Sequence, residues 1–305
     1  MVPFLSILPN PKIQTMIELV RQRLPLPEGE ISFLEGKTDN SPVLHFAHAT
    51  GFNAETYTGL LAPLAAKLRV LASDARGHGF TTLPSPAGAA AGWRIYHDDL
   101  HRFLKASGEG PYILAGHSMG ATASLMVAVA APELVSGLLL IEPVLVPRAI
   151  YWTRWLRAVS PGPDLAARAV KRRKTFPAAE AVFSSYRGRG AFRTWPDETV
   201  QDYLKGGLKP TGNGTEVTLA CAPEWEAETF RSTPLGAARL AKQVRCPVTL
   251  LYAEQSTPPE RECKDFARRH GRTRLIKVPG TTHFLPMERP ELVREEILRL
   301  ASAVA

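Results

Sequence analysis

Gly116-His117-Ser118-Met119-Gly120 is the stretch of this 305-residue chain best suited to covalent chemistry. An apolar run, Pro111 to Ala115, precedes it, and a small-residue helix is expected from Ala121 to about Ala131. A serine on a sharp strand-to-helix turn projects its hydroxyl above the sheet, at the cost of a strained backbone. The residues two before and two after it must then be tiny, because strand and helix nearly touch; Gly116 and Gly120 meet that need. The helix start also directs free N–H groups and the positive dipole end at the place where an oxyanion would form. The plainer reading of the same residues is an ordinary strand–helix turn whose serine caps the helix.

A serine hydroxyl needs a base to become a nucleophile. His283 stands in Pro279-Gly280-Thr281-Thr282-His283-Phe284-Leu285-Pro286, after the last apolar run and before a helix expected over Glu291–Val304, and it is the favoured base. His117 is the lesser candidate, with a packing role expected of it. The base in turn needs a carboxylate to fix its tautomer and stabilise the imidazolium. Glu142 closes the apolar run Gly137–Ile141, where an unpaired carboxylate would be costly. Glu254 closes the next run, with Glu260 a few residues on, but in the polar loop Glu254-Gln255-Ser256-Thr257. Glu142 is preferred and Glu254 stays open. Two amides should bind the oxyanion: that of Met119, and one from the loop after His45–Ala47. Phe52 is the choice there, with Thr50 and Gly51 beside it, and His48 is expected to brace that loop.

These residues need a scaffold that brings strand ends together. Apolar runs at Glu30–Glu35, Pro42–Ala47, Arg69–Asp74, Pro111–His117, Gly137–Glu142, Val248–Glu254 and Arg274–Pro279 alternate with helical patterns at Tyr57–Lys67, Trp93–Ala106 and Ala121–Ala131. Such alternation predicts an α/β fold with a doubly wound, mostly parallel sheet, buried on both faces. Ile13–Arg23 reads as a short amphipathic helix ended by Pro25-Leu26-Pro27. The alternation fails between about Pro147 and Leu235, rich in Trp, Arg, Pro and Gly, with helical patches near Ile150–Val159 and Leu165–Lys174. We read residues 1–146 and 236–305 as the core and 147–235 as an inserted helical cap over the edge where open α/β sheets bind ligands. Tyr151, Trp152, Trp155 and Phe176 could line an acyl or aromatic pocket there, or only glue cap to core.

With 45% hydrophobic and 22% charged residues the chain can fill a large core, so disorder is not expected. Its formal charge of +8 is scattered apart from Lys171-Arg172-Arg173-Lys174, which reads as a solvated face rather than a nucleic-acid site. Three cysteines (Cys221, Cys246, Cys263) without paired spacing argue against zinc and a disulfide framework, and favour a reducing cytoplasm. No signal peptide or membrane-spanning run is expected, and the Asn213-Gly214-Thr215 sequon reads as coincidence.

His48-Ala49-Thr50-Gly51-Phe52, Asp74-Ala75-Arg76-Gly77-His78-Gly79, Gly116–Gly120 and Gly280-Thr281-Thr282-His283-Phe284 together resemble the α/β-hydrolase superfamily, over roughly Pro42–Val146 and Leu235–Ala305. They are similar, in order, to its oxyanion loop, its D-x-R-G-x-G turn, its elbow and its histidine loop. One departure concerns the acid: the family's usual Asp after the penultimate strand is replaced by Ala253 and Ser256. Haloalkane-dehalogenase-like members place the acid after the strand that follows the elbow helix, and Leu140-Ile141-Glu142-Pro143-Val144 is similar to that arrangement. The other departure is from those dehalogenases and from epoxide hydrolases, which carry Asp in the elbow; Ser118 implies acyl transfer instead. The resemblance thus implies a serine hydrolase, free of metal and cofactor, acting on a small-molecule ester, thioester or lactone. The alternative expectation is a non-catalytic protein of the same fold that holds a small apolar ligand.

Overall fold

A computed structural model describes residues 18–37, 41–108, 110–147, 161–212, 214 and 216–304. Six strands come first: β1 (Val20–Leu26), β2 (Gly29–Gly36), β3 (Val43–Ala47), β4 (Arg69–Ser73), β5 (Tyr112–His117) and β6 (Val135–Ile141). Three short ones, β7 (Thr175–Phe176), β8 (Leu208–Pro210) and β9 (Val217–Leu219), follow, and β10 (Val248–Gln255) and β11 (Thr273–Thr282) complete the set. Eight of them form one sheet in the order β1-β2-β4-β3-β5-β6-β10-β11. The β1–β2 and β2–β4 pairs are antiparallel; from β4 to β11 every pair is parallel.

All six residues of β5 are buried, as a strand covered on both faces must be. Alternate side chains feed two cores. Ile113 and Ala115 join one with Leu139, Ile141 and the C-terminal helix residues Val293, Ile297 and Leu300. Tyr112 and Leu114 join the other with Leu138, Leu140, Phe103 and Phe266. The helices Arg94–Ser107, Met119–Ala130, Glu260–His270 and Pro290–Val304 supply these layers.

The amphipathic helix expected over Ile13–Arg23 is not what the described part of that stretch forms: Val20–Leu26 is an edge strand, and residues 13–17 lie outside the described residues. It pairs from Val20↔Glu35 to Leu26↔Gly29. Pro25 is tolerated because an edge strand has one side free of ladder bonds. Tyr57–Lys67 is helical only in pieces, a single α turn at Thr58–Leu61 between two 3₁₀ segments, with Pro63 inside the second. Between residues 161 and 235, Pro161–Val170 is helical, and further helices run over Ala179–Tyr186, Asp197–Gly207 and Pro223–Arg231. The same stretch also holds a separate small sheet, β7-β9-β8, that the sequence pattern did not suggest. The patch at Ile150–Val159 and the residues Tyr151, Trp152, Trp155 and Asn213 lie outside the described residues.

Candidate active site

Ser118 falls between β5 and the helix Met119–Ala130 with φ 55° and ψ −114°. Such a conformation costs on the order of 1–3 kcal/mol and survives only where neighbours over-determine it. They do: Ser118 N–H donates to the Ile141 carbonyl at 3.0 Å. A Cβ on Gly116 would come within 2.6 Å of the Ala121 nitrogen, and one on Gly120 within 2.2 Å of the Ala47 carbonyl oxygen. Any larger residue at either place would push helix and strand apart. Ser118 is 8% exposed and lines a cleft of about 1510 Å³, as does His283.

Glu142 lies one residue beyond the end of β6, fully buried, with φ 49°. Its carboxylate has four partners. Oε1 accepts from the Ala253 amide at 2.7 Å and from Ser256 Oγ at 2.6 Å; Oε2 accepts from the Thr257 amide at 2.9 Å and stands 3.0 Å from His283 Nδ1. Such partners are what a buried acid requires. Ala253 and Ser256, where the resemblance implies the usual acid, here serve as donors to Glu142. Glu254 points elsewhere, accepting from the Gly280 amide at 3.0 Å. The Ser118 Oγ has no hydrogen bond among the described residues, His283 included.

His117 is fully buried and takes no place in the cleft wall. Its Nε2–H donates to the His283 carbonyl at 2.8 Å, and its Nδ1 accepts from the Tyr57 hydroxyl at 2.8 Å. Tyr57 in turn accepts from the Ala49 amide at 3.2 Å. A single relay therefore ties the loop after β3 to the backbone of the histidine loop. Burial, with His283 nearby, holds the His117 imidazole well below the usual histidine range, which keeps it a neutral connector.

The loop after β3 is braced by two more buried histidines. His48 Nε2 accepts from the Ala75 amide at 2.8 Å while its Nδ1–H donates to the Ala49 carbonyl. His78 Nε2 accepts from the Gly51 amide at 3.0 Å, and its Nδ1–H donates to the Arg76 carbonyl. Burial lowers His48 to about 4 and His78 to about 3, so both are neutral near pH 7. This arrangement counts against Phe52 as the oxyanion donor expected from the sequence. The Phe52 amide closes a turn onto the Ala49 carbonyl at 3.1 Å, and the Gly51 amide is taken by His78. The amides of Thr50 and Met119 have no acceptor among the described residues. Phe52 contributes its ring instead, edge-on to Trp195 and stacked at 6.2 Å with Phe284.

A feature the sequence did not announce faces these residues. Glu226 is buried and its Oε1 stands 2.5 Å from where a side chain on Gly51 would begin. Its Oε2 accepts from Arg172 at 2.5 Å, and Arg172 also donates to the hydroxyls of Tyr186 (3.2 Å) and Tyr203 (3.1 Å). The run Lys171–Lys174 is thus not a uniformly solvated face: Arg172 turns inward to the cleft, and Arg173 lines it too. Nothing in its spacing distinguishes it, because its partners lie 14, 31 and 54 residues away. No group of three or more His, Cys, Asp or Glu side chains among the described residues is arranged to hold a metal ion. No helix among them is long and apolar enough to cross a membrane.

A single family description spans residues 46–296, that of the alpha/beta hydrolase family, and the chain belongs to it. The chain is 24% identical over 276 residues to the 2-(acetamidomethylene)succinate hydrolase of Mesorhizobium japonicum, covering 90% of this chain and 93% of that one. Among solved structures it is similar to that of E-2-(acetamidomethylene)succinate hydrolase, with a TM-score of 0.79 and 22% identity over 93% of this chain and all of the other. It is also similar to the thioesterase domain from the curacin biosynthetic pathway, with a TM-score of 0.76 and 18% identity over 92% and 99% of the two chains.

Proposed function

We propose that this chain is a serine hydrolase that cleaves a carboxylic ester, thioester or lactone through an acyl-enzyme. The observation that carries the reading is the 3.0 Å approach of His283 Nδ1 to the buried Glu142 carboxylate, on the cleft that Ser118 lines. The Ser118 Oγ bonds to the acyl carbon as its proton passes to His283 Nε2, and that proton then goes to the departing oxygen or sulfur. Water repeats the sequence: its oxygen joins the acyl carbon, its proton passes through His283, and Ser118 is restored as the acid leaves. Glu142 holds the imidazole with Nδ1–H toward it and balances the transient positive charge. The amides of Met119 and Thr50 are the oxyanion donors in this reading, since those of Phe52 and Gly51 are engaged. Residues 147–235 act as the cap over a core made of 1–146 and 236–305, and the names of the relatives, hydrolase and thioesterase, support the reaction class.

The test is covalent. A fluorophosphonate probe should label the wild-type protein, and Ser118→Ala should abolish both labelling and turnover of p-nitrophenyl esters, with an unchanged circular dichroism spectrum. Labelling that persists in Ser118→Ala overturns the assignment; a wild type that takes no label and turns over no ester favours a ligand-binding role for the cleft.

A further inference from the structure

The charges on the cleft wall are lopsided. Arg168, Arg172, Arg173, Arg189 and Arg231 line it, against a single described carboxylate, Glu226. That carboxylate is already matched by Arg172. Arg168 reaches Asp164 only across an exposed pair, with 75% and 63% of the two side chains in solvent, and such pairs hold little. Arg173 donates to the Thr175 carbonyl and lies 4.8 Å over the Phe176 ring, without an acid. No described carboxylate pairs with Arg189 or Arg231.

Guanidinium groups that line a cleft together with apolar residues such as Phe176, Phe192 and Phe284 raise the local concentration of anions there and can bind carboxylate or phosphate through two parallel hydrogen bonds. We propose that this cleft selects acyl substrates bearing an anionic group, carboxylate or phosphate, separated from the scissile carbonyl by an apolar stretch, and that Arg189 and Arg231 receive that group. The inference rests on Ser118 being the nucleophile only for where the scissile bond lies; anion capture is a property of the wall itself. The anion could belong to the acyl part, as in a half-ester of a dicarboxylic acid, or to the leaving group, as in a coenzyme A thioester.

Two length-matched pairs separate these sources: mono-p-nitrophenyl adipate against p-nitrophenyl hexanoate, and hexanoyl-coenzyme A against the hexanoyl thioester of N-acetylcysteamine. In at least one pair the charged member should have a kcat/KM higher by about tenfold or more, and the preference should shrink as salt rises. Arg189→Gln/Arg231→Gln should collapse the charged-to-neutral ratio, chiefly through KM. The exposed pair Lys67→Gln/Lys105→Gln removes equal charge from the opposite edge of the sheet and should leave the ratio intact. Calorimetric titration of Ser118→Ala with adipate should show binding that the arginine double variant loses. The proposal is overturned if neither pair discriminates and adipate does not bind, or if the preference survives Arg189→Gln/Arg231→Gln. Neutral esters hydrolysed without any such preference would leave the serine reading standing, whereas persistent labelling of Ser118→Ala would remove that reading and leave adipate binding to be judged alone.

Discussion

The wall that carries Ser118, Glu142 and His283 is held mainly by backbone groups, whereas the wall contributed by residues 161–235 is held mainly by side chains. On the first, Ser118 N–H reaches the Ile141 carbonyl, Glu142 N–H reaches the Leu251 carbonyl, and amides of Ala253 and Thr257 grip the carboxylate. On the second, Arg172 meets Glu226, Tyr186 and Tyr203, Asn53 Nδ2 reaches the Tyr203 carbonyl, and Lys205 pairs with Glu55. Backbone bonds at strand ends survive most substitutions, so chemistry placed there can persist while side-chain contacts opposite are exchanged for new specificity.

The sharpest break of this comparison comes at the acid. Glu142→Gln should lower kcat by roughly 10²- to 10⁴-fold, because the wrong tautomer of His283 is then favoured. Glu254→Gln, which loses only a bond to the Gly280 amide, should leave kcat near the wild-type value; the reverse ranking in steady-state kinetics would move the acid to the later strand. Next is the close contact behind the serine. Gly120→Ala places a methyl 2.2 Å from the Ala47 carbonyl oxygen and should cost on the order of 3 kcal/mol in denaturant unfolding.

A third prediction concerns acid. Burial lowers His45 and His78 to about 3 and His48 to about 4, whereas an unfolded histidine titrates near 6.5. Between those values the unfolded chain binds more protons than the folded one, so the stability these rings confer is complete above about 6.5 and is lost as pH falls toward 4. Guanidinium midpoints measured across that window should decline, and fluorophosphonate labelling should weaken with them, since His48 and His78 hold the loop of Thr50. The smallest effect belongs to the facing wall. Burial, with Glu55 close by, raises Asp202 to about 6. Here the folded state binds the extra proton, so its contribution favours folding at low pH and declines as pH rises from about 4 to 6. Asp202→Asn should therefore gain slightly on the wild type near pH 7 in thermal melts, a difference that closes below about pH 4.

Much of the first wall was legible in the sequence. Gly116, Ser118 and Gly120 are neighbours in the chain, and their spacing follows from one turn. His283 and Glu142 each follow an apolar run, so strand periodicity alone placed them at strand ends. In the loop after β3, the amide left free for the proposed oxyanion role was legible only to within two residues. Whether Thr50 or Phe52 presents a free amide depends on a turn closed by Ala49 and on the ring of His78, 27 residues from Gly51. Arg172 was hidden for the same reason at greater range, since a charged run looks alike whether its members face water or a buried Glu226. The helix expected over Ile13–Arg23 overlaps the strand at Val20–Arg23, because an edge strand with mixed burial offers no clean alternation; the strand's identity comes from its pairing with β2.

The ladder bond from Ser118 to Ile141, and the next one from Glu142 to Leu251, stitch residues 118 and 142 into the same three central strands. Neither can drift without unzipping β5, β6 and β10 together. The reactive geometry consequently has no melting step of its own. On slow warming, the ability to react should vanish at the temperature where the sheet itself comes apart, even if the arginine-bearing wall has already loosened.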